Sequence, residues 1–153
     1  MDKITNSFFL NLFFLKNLPS AWFWGIKCKS ATPNEATVYI KHNWFNKNPY
    51  KSTYFAALAG AGEFATGILA TSALSVRNEK ISMLVLHMEA SFSKKATGIT
   101  YFTCTQGQAV RDVIEMAVKN NTPQTMIMSA IGKNEQSEQV CEVKITWTFK
   151  AKI

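Results

Sequence analysis

Acidic residues are scarce in this chain. Ten Asp and Glu stand against seventeen Lys and Arg over 153 residues, a formal net charge of +7. That excess admits a nucleic acid, an anionic membrane or a phosphorylated small molecule as partner. Glycine and proline are few as well, seven and four, which excludes collagen-like and low-complexity chains, and no heptad persists that would make a coiled coil. Cysteine is limited to Cys28, Cys104 and Cys141, odd in number and far apart, with no CxxC pair. The two histidines, His42 and His87, stand at no metal-ligand spacing from them. A zinc site and a disulfide framework are therefore not expected, no metal is assigned, and a reducing, cytoplasmic compartment is the expectation.

What is present is a foldable core. The chain is 47% hydrophobic and 18% charged, far from the composition of a disordered segment, and its length fits one domain spanning 1–153. The charge is uneven: residues 1–60 hold seven Lys and two acids, residues 61–153 ten bases and eight acids. The seven lysines are scattered singly through apolar sequence and form no basic stripe, so a nucleic-acid partner is not expected. Lys3 followed by the apolar run 7–15 resembles a signal-peptide core, but Asn11 interrupts the run and it is too short to span a bilayer. The expectation is an N-terminal helix over residues 1–18 packed on the body, without stable membrane insertion.

Beyond Pro19 the periodicity changes repeatedly. Trp22–Ser30 and Ala36–His42 are rich in aromatic and β-branched residues and predict two strands of a hairpin around Thr32-Pro33-Asn34. A polar loop from Asn43 to Ser52 leads into Thr53–Val76, long enough only for a helix, with Ser52 or Thr53 as the predicted N-cap. Gly60, Gly62 and Gly67 each cost about 1 kcal/mol of helix propensity, which close approach of a wrapping sheet would offset. Ile81–Ser93 predicts a strand with Leu84, Leu86, Met88, Ala90 and Phe92 on one buried face. Ile99–Thr105, Thr125–Ile131 and Gln139–Lys152 are further strands, and Gln108–Asn121 is an amphipathic surface helix. Six strands, a buried central helix and peripheral helices make an α+β domain.

One residue stands out. Glu63 lies in mid-helix, and the nearest charged residues in the sequence are Lys51 and Arg77. A carboxylate among Ala, Gly and Phe is desolvated and should have a raised pKa, the condition that suits a general base or nucleophile near neutral pH.

Asn48, a short loop, a helix of small residues and an acid fifteen positions on at Glu63 together resemble the hot-dog-fold thioesterases. Within that superfamily the chain is similar to the uncharacterised DUF4442-like branch related to the phenylacetate-pathway type of acyl-CoA thioesterase. Ala90-Ser-Phe-Ser-Lys-Lys-Ala-Thr-Gly98 resembles the segment ending the third strand in that family. The resemblance covers residues 19–150. It implies a curved antiparallel sheet wrapped around the central helix, two subunits joining their sheets into a dimer or a dimer of dimers, and an active site between them. It further implies hydrolysis of acyl-CoA thioesters with no cofactor beyond the coenzyme A of the substrate. By the same resemblance Asn48 contacts the thioester, and the backbone N–H groups of Tyr54, Phe55 and Ala56 polarise its carbonyl, as unpaired donors at a helix N-terminus can. Glu63 of the other subunit acts as general base or nucleophile. Lys94, Lys95, Lys51 and Arg77 are the candidates for the phosphates of coenzyme A.

The chain also departs from the family pattern. Tyr54-Phe55-Ala56 stands where His-Gly-Gly is frequent, Lys51 where Gly is frequent, and Val85 where many relatives carry Ser or Thr; His87, expected on the face of Val85, is its candidate substitute. Two alternatives stay open. One is a non-catalytic dimer that binds acyl-CoA or a fatty ligand. The other is an acyl hydratase or dehydratase, disfavoured because Asn43–Glu63 contains no His.

Overall fold

The computed structural model describes residues 7–152. Of the helix expected over residues 1–18, residues 1–6 lie outside the described residues, and α1 runs Ser7–Asn17. Leu10 and Phe14 point into the body, with Phe14 against Phe64 at 4.7 Å between ring centres. A second short helix, α2 (Pro19–Trp24), follows where a strand was expected from Trp22. Pro19 supplies the helical φ at the first turn and Gly25, at φ 72°, closes the helix in the left-handed region, so these two residues overrode the aromatic β-propensity between them. The strand begins only at Lys27.

The remaining elements are β1 (Lys27–Ala31), β2 (Ala36–Lys41), α3 (Phe55–Ser75), β3 (Ile81–Phe92), β4 (Ile99–Cys104), α4 (Gly107–Asn120), β5 (Gln124–Lys133) and β6 (Gln139–Ala151). The strands form one antiparallel sheet in the order β1-β2-β4-β5-β6-β3, and α3 meets all six of them. A sheet that reaches one helix with every strand is wrapped around it, as the resemblance implies. Ala57, Ala61, Ala65, Ile68 and Leu69 of α3 share one buried cluster with Val38, Phe102, Met128, Val143 and Ile145 of the sheet. Amphipathic α4 closes the cluster with Val110, Ile114 and Ala117.

The small residues of α3 differ in what they do. A Cβ placed on Gly62 would lie 2.6 Å from Val143 Cγ2 and 2.7 Å from its Cβ, so only glycine admits the sheet this closely. At Gly67 an added Cβ would sit 3.8 Å from Trp147 and 3.5 Å from Glu63 Oε1, ordinary contact distances. Gly62→Ala should therefore destabilise the protein by about 1–3 kcal/mol through overpacking. Gly67→Ala should stabilise it by up to about 1 kcal/mol through helix propensity. Denaturant melts of the two variants check both signs, and equal behaviour would refute the packing argument.

β3 is an edge strand, paired only with β6, and it does not bury one regular face. Val85 lies opposite Trp147 and His87 opposite Thr146, so Leu86 is an extra residue in a bulge. Cross-strand partners share a face. Met83 and Val85 thus face α3 with Phe149 and Trp147, while beyond the bulge the helix side passes to Met88, Ala90 and Phe92, opposite Ile145, Val143 and Cys141. The expected single face from Leu84 to Phe92 is split accordingly, and Leu84, Leu86 and Met88 are 61%, 55% and 41% exposed. The same bulge puts His87 on the outer face with Thr146, across the sheet from Val85, which corrects its expected placement beside the site.

Candidate active site

The loop between β2 and α3 is organised by two asparagines. Asn46 is buried; its Nδ2 donates to Trp24 O and Lys41 O, both at 2.9 Å, and its Oδ1 accepts from Asn43 N at 2.9 Å. Its carbonyl accepts from Tyr54 N at 2.7 Å. One residue therefore ties the end of α2, the end of β2 and the start of α3 together. Asn48 folds the next turn, its Oδ1 accepting from Tyr50 N, Ser52 N and Ser52 Oγ and its Nδ2 donating to Ser52 Oγ at 3.0 Å. Within that turn Lys51 has φ 60°, a left-handed conformation that costs a side-chain-bearing residue roughly 1–2 kcal/mol. The glycine that the resemblance leads one to expect at this position would adopt that conformation without the cost.

The loop fixes the start of α3. Tyr54 is the N-cap and no side chain caps the helix. The expected caps are otherwise engaged, Ser52 with Asn48 and Thr53 by its N–H to Ala96 O at 2.8 Å and its Oγ1 near His42 Nδ1 at 3.4 Å. Of the three predicted backbone donors, Tyr54 N–H is taken by Asn46, which removes it from the set. Phe55 and Ala56 N–H have no acceptor among the described residues, and this is the arrangement that receives a developing negative charge.

Phe55, but not Ala56, lines a cleft of about 520 Å³ that it shares with Asn48, Tyr50, Tyr54, Leu58 and Phe92, with Lys94 and Lys95 at its side. Tyr54 and Phe55 stack at 4.7 Å and Phe55 meets Phe92 at 6.2 Å. The cleft thus brings together Asn48, Tyr54, Phe55, Lys94 and Lys95 of the predicted set. Lys94 already pairs with Glu138 at 2.6 Å, holding that carboxyl below its usual range, and Lys95 donates to Tyr50 O at 3.4 Å. Lys51 is exposed between the lining residues Tyr50 and Ser52 without lining the cleft itself. Arg77 does not belong here. It lies past the far end of α3, about 30 Å from Phe55 at roughly 1.5 Å per helical residue, and pairs with Glu115 at 3.7 Å. Sequence reasoning assigned no site role to Tyr50, Leu58 or Phe92; Tyr50 and Leu58 signalled only by lying next to a helix start, and Phe92 by its place in the Ala90–Gly98 segment.

Glu63 is two turns further along α3, about 12 Å from Phe55 by the same rise, and it does not line this cleft. It is half-buried and carries no salt bridge among the described residues. Desolvation by burial raises its pKa. Its carboxylate lies beside Gly67 on the Trp147 side of the helix, and Trp147, whose Nε1 donates to Thr66 Oγ1 at 3.0 Å, pairs with Val85 of the edge strand. Burial also pushes all three thiols up, Cys141 to about 12, so none is a ready nucleophile at neutral pH.

Known structures place this architecture. A protein from Pseudomonas aeruginosa described as "of Unknown Function" and "Probable Thioesterase" matches with a TM-score of 0.72 at 17% identity, over 94% of this chain and 95% of that one. A protein of unknown function from Chlorobaculum tepidum matches at 0.80 and 13% identity, over 99% and 100%. A thioesterase from Staphylococcus aureus, solved as a Gln-to-Ala variant, matches at 0.60 and 16% identity, over 83% and 94%. The same protein is also known as a variant with a Glu, fifteen positions after that Gln, changed to Ala. These identities carry the fold, which is the hot-dog fold, and not an activity. No curated protein matches the sequence. Residues 9–149 match the family described as DUF4442, a domain of unknown function, and the chain belongs to that family.

Proposed function

We propose that the protein is a thioester hydrolase acting on acyl-CoA, with its active sites formed between two subunits. The observation that carries this reading is Glu63, half-buried, with a raised pKa and no charge partner among the described residues. A carboxylate held that way takes a proton from water, or attacks a carbonyl, more readily than an exposed one. Its separation from the Phe55 and Ala56 donors means that one chain cannot bring both to one carbonyl. Two chains joined along their β3 edges would bring Glu63 of one to the helix start of the other, with Lys94 and Lys95 beside the cleft to meet the phosphates of coenzyme A. The fifteen-residue spacing of the two altered positions in the Staphylococcus aureus thioesterase, equal to that of Asn48 and Glu63, supports the assignment.

Asn48 has a specific part in this scheme. With its side chain spent on the turn, it positions the helix start and offers at most one remaining N–H to the thioester. That engagement, with the rings of Tyr54 and Phe55 at the cleft, favours a second reading, a dimer that binds acyl-CoA without turnover. Thiol release from short, medium, long and aromatic acyl-CoAs decides between them. Hydrolysis of at least one supports the enzyme; ligand-dependent thermal stabilisation with no thiol release from any supports the binding protein.

A further inference from the structure

Four large rings lie in contact on the outside of the molecule, contributed by two segments that Asn46 holds together. Trp22 meets Phe23 at 5.1 Å, Phe23 meets Phe45 at 6.0 Å and Phe45 meets Trp44 at 5.3 Å, and the ridge ends in Lys47, whose Nζ lies 5.3 Å from the Trp44 ring centre. Trp44 and Phe45 are 72% and 61% exposed, and Trp22 and Phe23 are exposed as well. None lines the cleft described above. Next to them α1, packed on α2, buries Leu10 and Phe14 yet leaves Leu12, Phe13 and Leu15 outside. Four exposed rings in mutual contact on a folded protein mark a contact surface.

We infer that this ridge docks the protein peripherally on an anionic lipid bilayer. The charge around it selects that occupant. Lys47 borders the Trp44 ring, Lys16 lies on α1, Lys27 begins β1 just after α2 and Lys41 is tied through its carbonyl to Asn46, all four exposed, while the single acid of residues 7–62, Glu35, lies at the turn before β2. Lysines flanking Trp and Phe fit a membrane interface: the rings enter at headgroup level while the ammonium groups remain with the anionic phosphates. A second copy of the chain fits worse, because a self-complementary contact would set this lysine-rich face against itself. The ridge also lies by α1 and α2, with α1 against β1, at the sheet edge opposite β3, and so stays free when β3 edges join. A single-stranded nucleic acid fits worse too. Trp22–Phe23 and Trp44–Phe45 meet edge to face, at 80° and 89°, and do not form the parallel platforms on which successive bases stack.

Co-sedimentation of the full chain with vesicles tests this. With phosphatidylcholine vesicles containing about three-tenths phosphatidylglycerol, wild-type protein should pellet, and high salt should release it. The variant Trp22→Ser, Phe23→Ser, Trp44→Ser, Phe45→Ser should lose binding at least about tenfold with circular dichroism unchanged. Because that variant replaces four side chains, brominated lipids provide a readout on the native chain. They should quench wild-type tryptophan fluorescence, and Trp44→Phe should reduce the quenching while leaving binding in place. The inference is overturned if wild-type protein ignores anionic vesicles, or if the fourfold variant binds as wild type does. It is equally overturned if that variant changes the oligomeric state instead, or if a single-stranded RNA oligonucleotide competes the protein off the vesicles through the ridge.

Discussion

Glu63→Gln should lower thiol release by about 10²–10⁴-fold while raising the melting temperature at pH 7. The two effects have one cause. Burial holds the folded-state pKa of Glu63 above its ordinary value of 4.5, so between those two values the folded protein keeps a proton that the unfolded chain has released. Stability therefore falls as pH rises through that window and stays lower above it. Glutamine has nothing to ionise, so the variant should outlast wild type at neutral pH and match it below the ordinary carboxylate range. Melting curves at pH 4 and pH 7 beside a thiol assay measure this directly. A variant that loses stability along with activity would mean that Glu63 is a structural group; one that keeps its activity would remove it from the mechanism. In wild type the acid limb of the rate profile should fall at a pH above the ordinary carboxylate pKa, since the carboxyl must be ionised to act.

Leu84→Lys with Leu86→Lys should leave the proposed dimer monomeric and abolish turnover. Both side chains stand exposed on an edge strand of twelve residues whose other edge is paired to β6. An uncovered apolar edge of that length invites a second strand, and lysine is the side chain that refuses one. Because Glu63 and the free N–H groups at Phe55 and Ala56 sit about 12 Å apart on one helix, monomers should bind ligand weakly and hydrolyse none. Light scattering on the purified variant gives the mass, and circular dichroism confirms that the sheet persists. A fully active monomer would require one chain to hold a complete site, and the proposal of sites shared between subunits would fall.

Much of this architecture was legible in the residues. The alternation of Cys141, Val143, Ile145, Trp147 and Phe149 and the amphipathic Gln108–Asn121 segment each carry a period that survives into the structure, and the helix of Ala and Gly with one acid is legible from its length alone. What was not legible depends on partners remote in sequence. Trp22–Gly25 is too short for a period, and its fate was decided by Pro19 and Gly25. Ser52 and Thr53 have the chemistry of N-caps, but Asn48 and Ala96 claim them first. Tyr54 N–H looks like a free donor in the sequence because nothing local reveals that Asn46 O accepts from it. Along Met83-Leu-Val-Leu-His-Met88 apolar residues occupy both parities, so the sequence does not mark where the helix-facing set changes over, and plain alternation puts His87 on the wrong side. Arg77 was near Glu63 in sequence order only; a helix separates its two ends by its whole length.

That changeover at Leu86 has a further consequence. Removing Leu86 would leave Val85 opposite Trp147 and His87 opposite Thr146 as before, so every rung of the ladder could persist and only the local bend would go. The residue contributes curvature without information about pairing. Shape and connectivity are therefore separable at this one position: the angle at which the edge strand presents itself to another chain is set by a single inserted leucine, independently of the register that holds the subunit together.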